Sequence, residues 1–107
     1  MSEEKNLVDK YVDAKKEILQ NNEEINLLRE AVSKTKFNFS YDQDIRTSFV
    51  FAKEGSPTGY VDTKLPYESV LSAMITRLDF LTERNENLLI FVGKVDSALN
   101  EAGISDD

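Results

Sequence analysis

Residues 67–102, YESVLSAMITRLDFLTERNENLLIFVGKVDSALNEA, carry the pattern on which the fold turns. Alternate steps of four and three land on Tyr67, Leu71, Met74, Leu78, Leu81, Asn85, Leu88, Val92, Val95, Leu99 and Ala102, with Asn85 as the one polar rung. A mean spacing of about 3.5 residues is the period of helices that pair along a narrow apolar seam, not of strands. The same walk from Leu7 gives Leu7, Tyr11, Ala14, Ile18, Asn21, Ile25, Leu28 and Val32, again with one asparagine. The spacing predicts a first helix at about 3–34 and a second at about 66–102.

Terminal signals agree with those limits. Ser2 is an N-cap residue, and Glu3 and Glu4 then occupy a first turn where the helix dipole favours acids. Pro66 suits the first turn of the second helix, where its missing N–H has no partner to lose. Gly103 is placed to adopt a left-handed stop, with Ile104 folding back on Leu99 and residues 103–107 fraying beyond the helix.

One asparagine per ladder suggests a register. With Asn21 opposite Asn85 in an antiparallel pair, Leu7 faces Leu99, Tyr11 faces Val95, Ala14 faces Val92 and Ile18 faces Leu88. Further along, Ile25 faces Leu81, Leu28 faces Leu78 and Val32 faces Met74. Two amides in one layer satisfy each other, whereas an amide opposite leucine is stranded at a cost of about 1–3 kcal/mol. The alternative leaves both asparagines partly exposed where the helices diverge.

One hairpin does not bury all the apolar surface supplied. Val8, Val12, Leu19 and Leu27, with Val70, Ile75, Phe80, Leu89, Ile90 and Phe91, lie off the seam. A widened stripe of this kind is expected of helices with more than one neighbour. The expectation is a homo-oligomer through a face of Phe80, Leu89, Ile90 and Phe91; the alternative is that the middle of the chain folds down over this surface.

That middle has a different period. Phe37, Phe39 and Tyr41 alternate with Asn38 and Ser40, and Ile45–Lys53 is rich in β-branched and aromatic residues. The expected head is a β-hairpin of about 36–41 and 46–53 turning at Asp42-Gln43-Asp44. A second turn at 55–59 precedes a short third strand at Tyr60-Val61-Asp62. The fold class is therefore mainly α (α+β): an antiparallel helical hairpin or coiled coil of two long helices joined by a small β-hairpin or three-stranded meander at about 36–62. At 107 residues the chain is a single domain.

Composition narrows the function. There is no cysteine and no histidine, which removes disulfides, thiolate chemistry and the commonest general base and metal ligand. Thirteen basic against twenty acidic residues give a net charge of −7, which opposes binding to duplex nucleic acid or an anionic membrane. Acid stands at Met1-Ser2-Glu3-Glu4-Lys5 where a signal peptide carries base, and no apolar run approaches the roughly 18 residues of a membrane span. The expected location is the cytoplasm of a bacterium or of a phage-infected host.

Charge is uneven. Residues 34–64 hold Lys34, Lys36, Arg46, Lys53 and Lys64 against Asp42, Asp44, Glu54 and Asp62, a net +1 that leaves −8 for the rest of the chain. The same segment holds six of the ten aromatics. Interleaved cations and aromatics can stack bases and neutralise phosphate, which makes Tyr41, Arg46, Lys53, Tyr60 and Lys64 the ligand or partner-binding candidates. The phenylalanines are expected instead to form the core that pins the head to the helices. Gly55–Gly59 lacks the context of a P-loop, and Asp42 and Asp44 lack the glycine and distal glutamate of a calcium loop. Carboxylate pairs such as Glu23-Glu24 and Glu83/Glu86 sit where solvating charge belongs, and no serine or threonine has a histidine to activate it. No catalytic residue, metal ligand or cofactor is assigned.

The order helix, β-hairpin, helix, with heptads on both arms, resembles the layout of a prefoldin β-type chaperone subunit over nearly the whole chain. The resemblance is architectural and assigns no functional residue. The expected function is a non-enzymatic, homo-oligomeric interaction protein (an inhibitor, adaptor or assembly factor) that binds another protein. The alternatives are a protein that sequesters a nucleotide-type ligand between subunits and a prefoldin-like holdase that grips nonnative chains at its tips.

Overall fold

The computed structural model describes residues 6–101. The helix α1 runs over Leu7–Asn38 and begins where the side chain of Asn6 accepts a hydrogen bond from the Asp9 backbone N–H at 2.8 Å. The expected cap at Ser2, and the stop at Gly103 and Ile104, lie outside the described residues. The helix continues past residue 34 to Asn38 because nothing in Thr35-Lys36-Phe37 breaks it, and the Phe39 N–H still finds the Thr35 carbonyl at 3.0 Å. The alternation expected to be a strand at 36–41 is thus the last helical turn and its exit, and it leaves Phe37 89% exposed.

Two strands follow, β1 over Asp44–Lys53 and β2 over Ser56–Pro66, paired antiparallel. They turn at Glu54-Gly55, both at positive φ (52° and 83°), the two-residue geometry whose twist matches that of the flanking strands. Asp42-Gln43-Asp44 is not the hairpin turn: Ser40 and Gln43 close a turn between α1 and β1, and the Gln43 carbonyl accepts the Tyr67 N–H at 3.0 Å. What was expected as a second turn and a third strand is the tip and the far strand of one hairpin, so the head has two strands and not three. Pro66 closes β2, and α2 runs over Tyr67–Glu101.

The helices pack antiparallel, and the buried positions follow both ladders. Tyr11, Ala14 and Ile25 of α1 and Leu81, Asn85, Leu88, Val92 and Val95 of α2 are buried. Leu81 is the most enclosed, at 2% exposed. Tyr11, Ala14, Leu88, Val92 and Val95 form one cluster, against which Ile18, Phe91 and Leu99 pack. The Tyr11 hydroxyl escapes the seam by donating to Asp96, so its ring is buried at no cost in unsatisfied polar groups. Asn21 donates to Asn85 in the same seam, and Asn85 donates in turn to Asn22 Oδ1 at 3.0 Å and the Ile18 carbonyl at 3.4 Å. Among the described residues, no buried side-chain polar atom is left without a partner.

The hairpin packs on α2 and not on α1. Ile45 is its one buried residue and Leu65 is half-buried, which anchors the base while the rest projects. The molecule is accordingly long, 59 × 33 × 19 Å, with a radius of gyration of 19.3 Å. No described helix is long and apolar enough to cross a membrane.

Candidate functional site

Two surfaces stand out, one on the hairpin and one on the helices. Residues directly opposite in an antiparallel pair share a face. One face of the hairpin therefore carries Ile45 opposite Leu65, Thr47 opposite Thr63, Phe49 opposite Val61 and Phe51 opposite Gly59. The other carries Arg46 opposite Lys64, Ser48 opposite Asp62 and Val50 opposite Tyr60. The first face is uncharged. Its base is buried, but Phe49, Phe51 and Val61 toward the tip are 40%, 55% and 45% exposed. The phenylalanines expected to pin the head to the helices do not do so, because the hairpin reaches α2 only through its base.

Gly59 shapes this face. A Cβ there would lie 3.4 Å from Phe51 Cδ2, so the Phe51 side chain packs over the glycine across the strand pair. Both strands also present an open edge, since the sheet has only two of them.

The polar face holds three of the five ligand candidates. Arg46 and Lys64 line a shallow cleft of about 230 Å³ with Asp62 and Thr63. Neither cation has an ion-pair partner among the described residues. The Asp62 carboxylate accepts hydrogen bonds from Ser48 and from Tyr60, the latter at 2.7 Å, and these hold its pKa below the ordinary aspartate value. Tyr60 is tied down by the same bond. Tyr41 and Lys53 lie elsewhere. Tyr41 sits where α1 gives way to the hairpin, where a hydrogen bond to Glu68 raises its pKa, and Lys53 is at the tip, about 23 Å along the strand from Arg46. The five candidates do not converge on one site.

The four residues expected to form an oligomer face do not share one either. Residues on a helix turn by about 100° each, which sets Phe80 and Phe91 on one flank of α2, Leu89 on the other and Ile90 on the back. Contacts agree: Phe80 lies beside Arg84 and stacks under Arg77, whose guanidinium carbon is 5.3 Å from the ring centroid, whereas Leu89 lines a groove with Lys15 and Leu19. Phe91 is half-buried against the core; Phe80, Leu89 and Ile90 stay exposed, so the head does not cover them.

The two flanks of the helical pair differ in chemistry. On one, Arg84 grips Glu17 with Nε–Oε2 at 2.7 Å and Nη2–Oε1 at 3.0 Å, and one heptad away Arg77 grips Glu24 at 2.8 and 3.2 Å. These hydrogen bonds are the main cause of the lowered pKa of both glutamates. The other flank is an apolar groove of about 260 Å³ between Ile18, Leu19, Leu89 and Val92, rimmed by Lys15. The ion pairs have a signal in the sequence, the seven-residue spacing of Glu17 and Glu24 and of Arg77 and Arg84 beside the two ladders, whereas the apolar face of the hairpin has none, because it depends on cross-strand register.

Among the described residues, no three His, Cys, Asp or Glu side chains gather to hold a metal ion. No protein-family model, no curated protein and no solved structure matches this chain, so the likeness to prefoldin β-type subunits rests on the order of elements alone.

Proposed function

We propose that the chain is a non-enzymatic interaction protein that self-associates through its helices and offers the hairpin arm to a protein partner, as an inhibitor, adaptor or assembly factor does. The observation that carries this reading is the uncovered apolar face of Phe49, Phe51 and Val61 on an arm with two open strand edges. A lone two-stranded hairpin is marginal in water, and an added strand or an apolar cover is the ordinary way to stabilise one. Support also comes from surface area. The chain exposes 8428 Å², where a compact monomer of 12.2 kDa exposes about 6,100 Å². The radius of gyration, 19.3 Å, compares with about 13 Å for a globular chain of this length.

Affinity capture from the native host with wild type and with Phe49→Ser/Phe51→Ser tests the arm. The expected result is a defined partner retained by wild type and lost from the variant while helicity is unchanged. Equal retention by both would remove the hairpin from the interaction.

A second reading has one observation of its own, the unpartnered pair Arg46 and Lys64 across the polar face. Like charges directly opposite destabilise a hairpin, and an anionic ligand such as a nucleotide phosphate would relieve them. Thermal shift against nucleotides and cyclic nucleotides decides it: no stabilisation at ligand excess eliminates this reading, because binding to the folded state must raise stability.

A further inference from the structure

The two open edges of the hairpin are not equivalent. Bonds in an antiparallel ladder alternate, so every second residue points its N–H and C=O away from the paired strand. The phase is fixed at the base, where the Tyr67 N–H donates to the Gln43 carbonyl at 3.0 Å, and near the tip, where the Phe51 carbonyl accepts from the Thr58 hydroxyl at 3.2 Å. Ile45, Thr47, Phe49 and Phe51 therefore turn inward to β2, and Arg46, Ser48 and Val50 turn their backbone groups outward along the edge of β1. On β2 the outward residues are Tyr60, Asp62, Lys64 and Pro66.

Prolines and charges are what keep a strand edge from pairing, and β2 has both: Pro57 and Pro66 lack an N–H, and Asp62 and Lys64 stand between them. The edge of β1 has no proline, and residues 47–52 are uncharged, with Arg46 at their base. We propose that an extended segment of the protein partner adds to the outer edge of β1 as an antiparallel third strand, with apolar side chains opposite Phe49 and Phe51 and a carboxylate opposite Arg46. This deepens the interaction reading of the arm and rests on it.

The backbone dictates the kind of occupant, because a row of alternating N–H and C=O groups is matched in full by the backbone of another strand. Arg46, Ser48 and Val50 exchange hydrogen bonds with the residues opposite, and Phe49 and Phe51 fall in the pairs between, where side chains approach closest. Charge dictates the acid. Arg46 stands opposite Lys64, and neither has an ion-pair partner among the described residues, while the Asp62 carboxylate on the same face is taken up by Ser48 and Tyr60. An opposite charge across the free edge of β1 stabilises the pairing and offsets the repulsion of Lys64. Read along the partner, the pattern is apolar, any, apolar, any, any, acid, and it stops there because Asp44 comes next on that face. A third strand also gives the hairpin the width that a stable sheet needs.

The test is fluorescence anisotropy of the full chain with a labelled synthetic peptide of alternating valine and threonine that carries one glutamate in the position facing Arg46. Replacing that glutamate by lysine is expected to weaken binding roughly five- to tenfold. Arg46→Glu, which removes a like-charge pair and leaves the hairpin intact, is expected to reverse the preference. Val50→Pro deletes an outward N–H of β1 and is expected to abolish binding, whereas Tyr60→Pro, the matched change on the edge of β2, is expected to leave it unchanged; amide exchange shows whether the hairpin persists in each. No binding by wild type, an Arg46→Glu variant with the wild-type preference, or a Tyr60→Pro variant weaker than Val50→Pro overturns this inference. So does a wild type that ignores the peptide and loses mass in sedimentation equilibrium on Val50→Pro, since a second copy then covers the edge. Each of these leaves the wider reading of the arm to the Phe49→Ser/Phe51→Ser capture, which fails separately.

Discussion

Asn21 Nδ2 donates to Asn85 Oδ1 at 2.9 Å, across a seam whose other rungs are apolar or aromatic. The bond joins residues that occupy the one polar rung of each ladder, and it ties the two helices into a single register. Slipping either helix by one heptad would set Asn21 against Leu78 or Val92 and Asn85 against Ala14 or Leu28, none of which has a side chain that can hydrogen-bond across the seam.

Asn85→Ala is accordingly expected to destabilise the fold by about 1–3 kcal/mol, because it removes the hydrogen bonds that Asn85 makes with Asn21, Asn22 and the Ile18 carbonyl and leaves Asn21 with Glu17 alone as its side-chain partner. Asn21→Leu with Asn85→Leu replaces the layer by two apolar groups and is expected to recover wild-type stability or better, at the expense of a unique register. Urea midpoints measure the first effect, and the number and dispersion of amide resonances the second.

Acid should loosen the helical pair. The arginine hydrogen bonds hold Glu17 and Glu24 below the ordinary glutamate value of about 4.5. A carboxyl whose folded pKa is lowered stabilises fully above its unfolded pKa and loses that contribution as pH falls through the folded value. Thermal stability is therefore expected to be level from neutral pH down to about 5 and to drop below that. Glu17→Gln/Glu24→Gln should have a shallower acid limb, and an unchanged limb would show that the pairs contribute nothing. Tyr11 has the opposite sign: Asp96 raises its pKa above the ordinary 10.0, so its contribution is present below that value and is lost at higher pH.

Leu81, 2% exposed in the seam, is the residue whose truncation should cost most. Leu81→Ala is expected to lose about 2–5 kcal/mol through lost burial and the cavity left behind. Ile90→Ala, on the exposed back of the same helix, is expected to stay within about 0.5 kcal/mol of wild type. Chemical denaturation of the two variants side by side tests the assignment of faces.

The hairpin turn holds a glutamate where glycine or asparagine is preferred, with Glu54 at φ 52°. Glu54→Asn is expected to stabilise the hairpin by roughly 0.5–1 kcal/mol, and Gly55→Ala, at φ 83°, to destabilise it by at least as much. Amide exchange along β1 and β2 reads this directly, because the arm can open without the helices unfolding.

Much of the helical part is legible in the spacing of residues. A heptad is a local pattern, and the second ladder placed the start of α2 to within a residue. The single asparagines supplied the register, since an amide in an apolar seam has few partners it can accept. The flanking ion pairs follow from the same spacing once Glu17, Glu24, Arg77 and Arg84 are seen to fall one heptad apart. The head was harder. Phe37-Asn38-Phe39 alternates as a strand does, but over so short a run a helix already propagating through Thr35 and Lys36 prevails, since each further residue adds a backbone hydrogen bond.

Local order along the chain thus dictated two long amphipathic helices, their antiparallel packing and the polar layer between them, because a period near 3.5 and a lone amide per ladder are properties of neighbouring residues. The three-dimensional arrangement alone settled where the hairpin turns, that Phe49, Phe51 and Val61 line one uncovered face, and that Leu89 and Phe80 lie on different flanks. Those outcomes depend on cross-strand register and on how little of the hairpin α2 can reach, which are relations between distant parts of the chain that no short window contains.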